Sequence, residues 1–199
     1  MPITIVTGPP GAGKTTVSAR LAQSRPLGVH LVGDEVFHWI VSGYVPPWRP
    51  GTRHQNGTVM AAMANAAVQF ARGGYDVFVD GIIGPWFLPH WLNAAPDPTQ
   101  YVVLRPDRQV ALARATDRHT PDALVDPEPV AKMFDAFEDL GAFEAHVVDS
   151  SGQDVDATVE ALDRELRYGS YLLDPLAAGA APDISRLAAK FGIDPPTRP

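Results

Sequence analysis

The chain has 199 residues, of which 45% are hydrophobic and 20% charged, and its net charge is -7. That length holds one domain with a sizeable core, and the balance excludes wholesale disorder. An acidic chain has no general attraction to nucleic acid, and the lack of cysteine excludes disulfides, thiolate zinc sites and a cysteine nucleophile.

The N-terminus shows no basic region before its first apolar residues, so it does not read as a signal peptide. No apolar run approaches the ~20 residues of a membrane span. The expected location is cytoplasmic.

Ile3-Thr4-Ile5-Val6-Thr7 is β-branched throughout and predicts a buried first strand. A glycine loop follows, and then a helix from Lys14 to Ala22, with Val17 and Leu21 four apart. Gly28 to Val32 is a second strand ending at Gly33-Asp34, and Glu35 to Val41 a short helix. Ser42 to Gly51 is rich in proline, glycine and aromatics and predicts a loop. Arg53 to Arg72 is a long helix stopping at Gly73-Gly74. Asp76 to Asp80 is a third strand, Trp86 to Leu92 a short helix, and Gln100 to Leu104 a fourth strand. Helices are expected from Asp107 to Asp117 and from Val130 to Leu140, a fifth strand over His146 to Val148, and a closing helix from Val155 to Arg167. This alternation predicts an α/β fold with a parallel sheet covered on both faces. The expected division is a domain over residues 1–168 and a C-terminal extension over 169–199.

The chemistry begins at Gly8-Pro9-Pro10-Gly11-Ala12-Gly13-Lys14-Thr15, which fits G-x-x-x-x-G-K-[ST]. The match follows a strand and opens a helix, as a phosphate-binding loop must. Glycines let successive N–H groups curl toward phosphate oxygens, and the helix N-terminus adds partial positive charge. Lys14 is expected at the β- and γ-phosphates, Thr15 on Mg²⁺ and Thr16 beside the nucleotide. ATP with Mg²⁺ is the expected pair.

Asp34 and Asp80 each follow a strand, where ligands gather in open α/β sheets. Phosphoryl transfer to a hydroxyl needs one carboxylate to take the acceptor proton and one near the metal. Asp34 is the expected base. Asp80, after Val77-Phe78-Val79, is a metal ligand of the Walker B kind or a substrate ligand. A turn or helix cap is the competing structural role for both. Arg114 and Arg118 are four apart after the fourth strand, and arginines on closing segments commonly stabilise transferred charge. Arg105 and Arg108 lie nearby.

These motifs resemble small P-loop kinases: shikimate and gluconate kinases, chloramphenicol phosphotransferase and polynucleotide kinase domains. The resemblance covers about Ile3 to Arg167 and rests on the Gly8–Thr15 loop, Gly33-Asp34, Val77 to Asp80, and Leu104-Arg105 with Arg114 and Arg118. It implies a three-layer P-loop NTPase fold with strand order 2-3-1-4-5 and a small lid. It also implies Asp34 as base, Arg114 stacked on adenine, Arg118 as the lid arginine, and Asp149 to Gly152 lining the adenine. No family-defining substrate motif is evident, and the tail from Gly169 has no counterpart.

The acceptor side is expected between the Asp34 helix, the Arg53 helix and the loop after Asp80. It holds Phe37, His38, Trp39, Tyr44, Trp48, Trp86, Phe87 and Trp91, a composition suited to an apolar or ring-bearing small molecule or to stacked bases. Core packing is the competing role for each aromatic. Arg53 and Asn56 open the long helix and are expected to reach the acceptor with Asp34, Phe37 and Asp80. Only three lysines are present, Lys14, Lys132 and Lys190, which argues against a polynucleotide. The expected function is an ATP-dependent kinase acting on a hydroxyl of a small molecule such as an antibiotic or a metabolite. The alternatives are a nucleotide or polynucleotide 5′-hydroxyl kinase and a regulatory ATPase.

Overall fold

Five parallel strands form one sheet in the order β2-β3-β1-β4-β5. The structure is a computed structural model and describes residues 3–94, 98–117 and 126–173. Its elements are β1 (Ile3–Thr7), α1 (Lys14–Gln23), β2 (Gly28–Val32), α2 (Gly33–His38), α3 (Arg53–Arg72), β3 (Asp76–Asp80), α4 (Leu88–Ala94), β4 (Thr99–Leu104), α5 (Arg108–Thr116), α6 (Pro127–Asp135), β5 (Val147–Val148) and α7 (Val155–Tyr168). Short 3₁₀ turns cover Pro85–Phe87 and Gly141–His146.

The β-branched runs become the buried middle of the sheet. Every residue of β1 and β4 is buried, while the outer strands β2 and β5 are only partly so. Side chains alternate between two faces. Ile3 and Ile5 of β1, Val77 and Val79 of β3, and Tyr101 and Val103 of β4 join α3, α4 and Phe137 in the larger core. Val6, Phe78, Val102 and Leu104 join α1 and α7 in the smaller one. The strict period of two thus builds the three layers.

Several boundaries differ from expectation. α2 begins at Gly33, before the expected Glu35, with Val32 at its cap, so Asp34 sits inside the first helical turn. α4 runs two residues later than expected, behind the 3₁₀ turn that starts at Pro85. α6 spans Pro127–Asp135 instead of Val130 to Leu140. Its start carries an unread signal: Asp126 accepts a hydrogen bond from the Glu128 amide at 3.2 Å, and a proline takes the first helical position. After Gly169 the chain folds back on β4. The Tyr101 amide donates to the Tyr171 carbonyl and the Leu173 amide to the Thr99 carbonyl, both at 2.9 Å. The rest of the expected extension, residues 174–199, lies outside the described residues.

The larger core makes stability depend on pH. His146 Nδ1 donates to the Tyr101 carbonyl at 2.9 Å, and its ring packs on Phe143 and Tyr101. Burial holds the His146 pKa below its usual value, against the smaller upward pull of that hydrogen bond. Burial, and then the nearby Arg53 charge, does the same to His90. The unfolded chain therefore binds more protons than the folded one once pH falls toward about 6.5, and stability drops as acid is added. The melting temperature is expected to be lower at about pH 5.5 than at about pH 7.5, and His146→Gln to flatten that slope. Equal slopes for the two proteins would remove His146 from this role.

Candidate active site

The loop after β1 is shaped by what it must pass. Gly8, Gly11 and Gly13 all have left-handed backbone angles, with φ of 143°, 79° and 85°. Gly11 also has no room for a side chain. A Cβ there would lie 2.0 Å from the Ala111 carbonyl oxygen of α5, and one on Gly8 would lie 2.0 Å from that of Leu104. The loop is thus pressed against the end of β4 and the backbone of α5, and only glycine permits both the turn and the approach.

Gly13 in the left-handed conformation turns the chain into α1. The first turn of α1 carries no acidic residue. The positive end of the helix dipole therefore faces no competing carboxylate from its own first turn. Lys14 is buried, and its Nζ donates to the Pro9 carbonyl at 2.9 Å, holding the ammonium across the loop. Thr15 and Thr16 are exposed at the mouth. The loop from Gly8 through Pro9, Pro10, Gly11, Ala12 and Gly13 to Thr16 thus sets one buried ammonium and two exposed hydroxyls at the start of α1.

Asp80 ends β3, directly beside Val6 of β1 and Val32 of β2 in the parallel register. It is only 2% exposed. The Thr15 hydroxyl donates to Asp80 Oδ2, and His30 Nε2 lies 3.1 Å from Oδ1. A carboxylate accepts on both oxygens, so both partners are donors. Thr15 then keeps its lone pairs for a cation beside Asp80. That donor set, one hydroxyl and one carboxylate with room left for phosphate oxygens and water, fits Mg²⁺.

Asp34 stands exposed at the start of α2. Gly33 packs against β3: a Cβ there would be 2.7 Å from the Asp80 carbonyl oxygen and 3.4 Å from the Gly81 Cα. The sheet therefore brings Asp34 to the same edge as Asp80 and the phosphate loop. One turn along α2 lies His38, whose ring meets Tyr44 edge-on at 6.1 Å.

The expected acceptor residues divide. Trp39, Tyr44 and Trp48 are 67%, 37% and 41% exposed. Phe37, expected against the acceptor, packs in the larger core, as do Trp86 and Trp91. Asn56 is buried and uses its amide on the Pro47 carbonyl at 2.8 Å and the Thr52 hydroxyl at 3.2 Å. It pins the loop before α3 and leaves its own Oδ1 without a partner among the described residues. Gln55 pins the same loop by accepting from the Val45 amide at 2.9 Å and donating to its carbonyl at 2.7 Å. Arg53 is exposed on the first turn of α3, near His90.

On the other side, Arg114 is exposed in the last turn of α5, the helix that backs the phosphate loop. Arg118 lies outside the described residues. Arg105 and Arg108 are committed elsewhere. Arg105 pairs with both oxygens of Glu144, each at 2.8 Å, and Arg108 binds Asp135 and Glu138. The Asp149 to Gly152 loop is tied to the start of α5, where Ser151 Oγ accepts from the Asp107 amide at 2.6 Å. His30 is the residue that sequence reading missed. Its contact depends on the β2–β3 register, which a single sequence does not reveal.

A family profile described as an AAA domain matches residues 4–139. Solved structures of similar fold include a sugar kinase from Janibacter, with a TM-score of 0.65 and 18% identity over 84% of this chain and 95% of that one. A gluconokinase from Sinorhizobium meliloti has a TM-score of 0.59 and 18% identity over 85% and 97%. The tunicamycin resistance protein of Deinococcus radiodurans has a TM-score of 0.59 and 18% identity over 87% and 99%. These likenesses carry the fold, a P-loop kinase-like sheet with the order seen here. A search of curated proteins gives no match. No described helix is long and apolar enough to cross a membrane.

Proposed function

The chain belongs to the AAA domain family, and from that premise we propose that it is an ATP- and Mg²⁺-dependent kinase acting on a hydroxyl of a small molecule. The observation that carries this reading is the meeting at one sheet edge of three parts: the glycine loop with Lys14, the Thr15–Asp80 pair, and the exposed carboxylate of Asp34.

In this mechanism the loop amides and Lys14 hold the triphosphate and offset charge on the γ-phosphoryl group. Mg²⁺, held by Thr15 with Asp80 beside it, would neutralise further charge on the phosphate oxygens. Asp34 accepts the acceptor's proton as its oxygen bonds to the γ-phosphorus. The bond from that phosphorus to the bridging oxygen breaks, and ADP leaves. Arg114 lies against the nucleotide, and Arg118 serves as the lid cation in this reading.

Trp39, Tyr44 and Trp48 favour an acceptor with an apolar or ring-bearing body. They stand exposed on the segment that continues from Asp34, and its later part, Val45 to Thr52 with Trp48, is held in place by Gln55, Asn56 and Thr52. An aromatic side chain on a held segment supplies contact area at low entropic cost. The test is ATP consumption with Mg²⁺ against pooled hydroxylated antibiotics, sugars, nucleosides and 5′-hydroxyl oligonucleotides. Stimulation by one pool, with phosphate recovered on a component, is the expected result. Slow hydrolysis that no pool stimulates would favour a regulatory ATPase instead.

A further inference from the structure

His30 has no place in the reaction as written, yet it touches the carboxylate assigned to the metal. It interrupts an apolar strand. Val29 and Leu31 on either side of it pack against the larger core, which turns His30 to the α1 face, beside Phe78 and Asp80. Its side chain is 18% exposed, and that of Asp80 is 3% exposed. From this geometry we infer that His30 is a positioning residue for the metal site: its Nε2–H holds Asp80 Oδ1 so that Oδ2 faces Thr15 and the bound cation.

The reasoning is steric and electrostatic. An aspartate carboxylate has a broad, roughly two-fold torsion about its last bond and turns unless something holds it. A buried carboxylate is also costly unless its oxygens are satisfied. The Thr15 hydroxyl satisfies Oδ2 but sits on the residue that must also meet the metal. The Oδ1 bond from His30 comes from a different element, the edge strand β2, and not from the glycine loop or α1. His30 can therefore fix the carboxylate plane before nucleotide arrives. Partners of this kind, one step behind the ligands, typically tune metal affinity 10- to 100-fold. The alternative is that His30 merely satisfies a buried charge and so supports the fold.

This inference rests on the assignment of Thr15 and Asp80 to the metal, and the experiment separates the two. Mn²⁺ serves as a paramagnetic stand-in for Mg²⁺. Its affinity for the ATP-loaded protein is measured by electron paramagnetic resonance, and ATP affinity without metal is measured in EDTA. His30→Leu keeps bulk without a donor, and His30→Ala is the second loss variant should leucine prevent folding. His30→Gln restores an N–H donor. The expected result is about tenfold weaker Mn²⁺ binding for the loss variants, partial recovery for His30→Gln, and unchanged metal-free ATP binding. Wild-type Mn²⁺ affinity in the loss variants, with Asp80→Asn weakened, would overturn the role of His30 alone. Wild-type affinity in Asp80→Asn as well would overturn the metal assignment and this inference with it. A parallel loss of metal-free ATP binding would reduce His30 to a structural support.

Discussion

Asp34→Asn is expected to slow phosphoryl transfer by about 10²- to 10⁴-fold while ATP affinity stays within about threefold of wild type. The substitution keeps size and hydrogen-bonding reach but cannot take up a proton at neutral pH. Asp34 stands on α2, outside the phosphate loop, so nucleotide binding has no reason to change. Its exposure at the helix start means the replacement buries nothing and strains nothing. Single-turnover transfer to the identified acceptor, alongside ATP binding by calorimetry, separates the two effects. Transfer at the wild-type rate would leave only the helix-terminal role, in which a carboxylate complements the dipole.

Lys14→Ala is expected to weaken ATP binding by at least about tenfold and up to ~100-fold, because a charge-assisted hydrogen bond is worth about 1.5–3 kcal/mol. The loss should be larger for ATP than for AMP, since the ammonium belongs to the outer phosphates. Lys14 also anchors the loop through the Pro9 carbonyl, so a melting curve must accompany the affinity. Weakened binding at an unchanged melting temperature assigns the effect to phosphate contact. Unchanged ATP affinity would contradict the phosphate-loop reading at its root.

The strands and the long helix were legible because glycine and β-branched residues punctuate them clearly. β1, β2, α3 and β3 run as the sequence predicts, and the strand order matches what the family resemblance implies. The misplaced boundaries have local causes. Gly33 starts α2 where a glycine after a strand reads as a turn, and the Asp126–Pro127 start of α6 was hidden behind a polar, proline-interrupted stretch. Burial was harder to read. Phe37 and Trp39 are two apart on one short helical stretch, yet one enters the core and the other faces solvent. Helical phase decides that: residues two apart in a helix lie on nearly opposite faces, and which face meets the core is set by packing that one sequence does not reveal. Asn56 looked like an acceptor ligand because position along α3 does not disclose that its amide is already engaged with Pro47. The His30–Asp80 pair spans fifty residues and exists only because two strands align in register.

The segment from Val45 to Thr52 is fastened almost entirely to its own neighbours. Thr52 donates to the Pro47 and Arg49 carbonyls, the Arg49 amide to Pro46, and the rest runs to Gln55 and Asn56 on the first turn of α3. None of these bonds reaches the sheet, the glycine loop or Asp80. Val45 and Trp48 can therefore change while the glycine loop and Asp80 keep their geometry. In the proposed kinase reading, this self-fastened unit is where the choice of acceptor can change while the handling of phosphate does not.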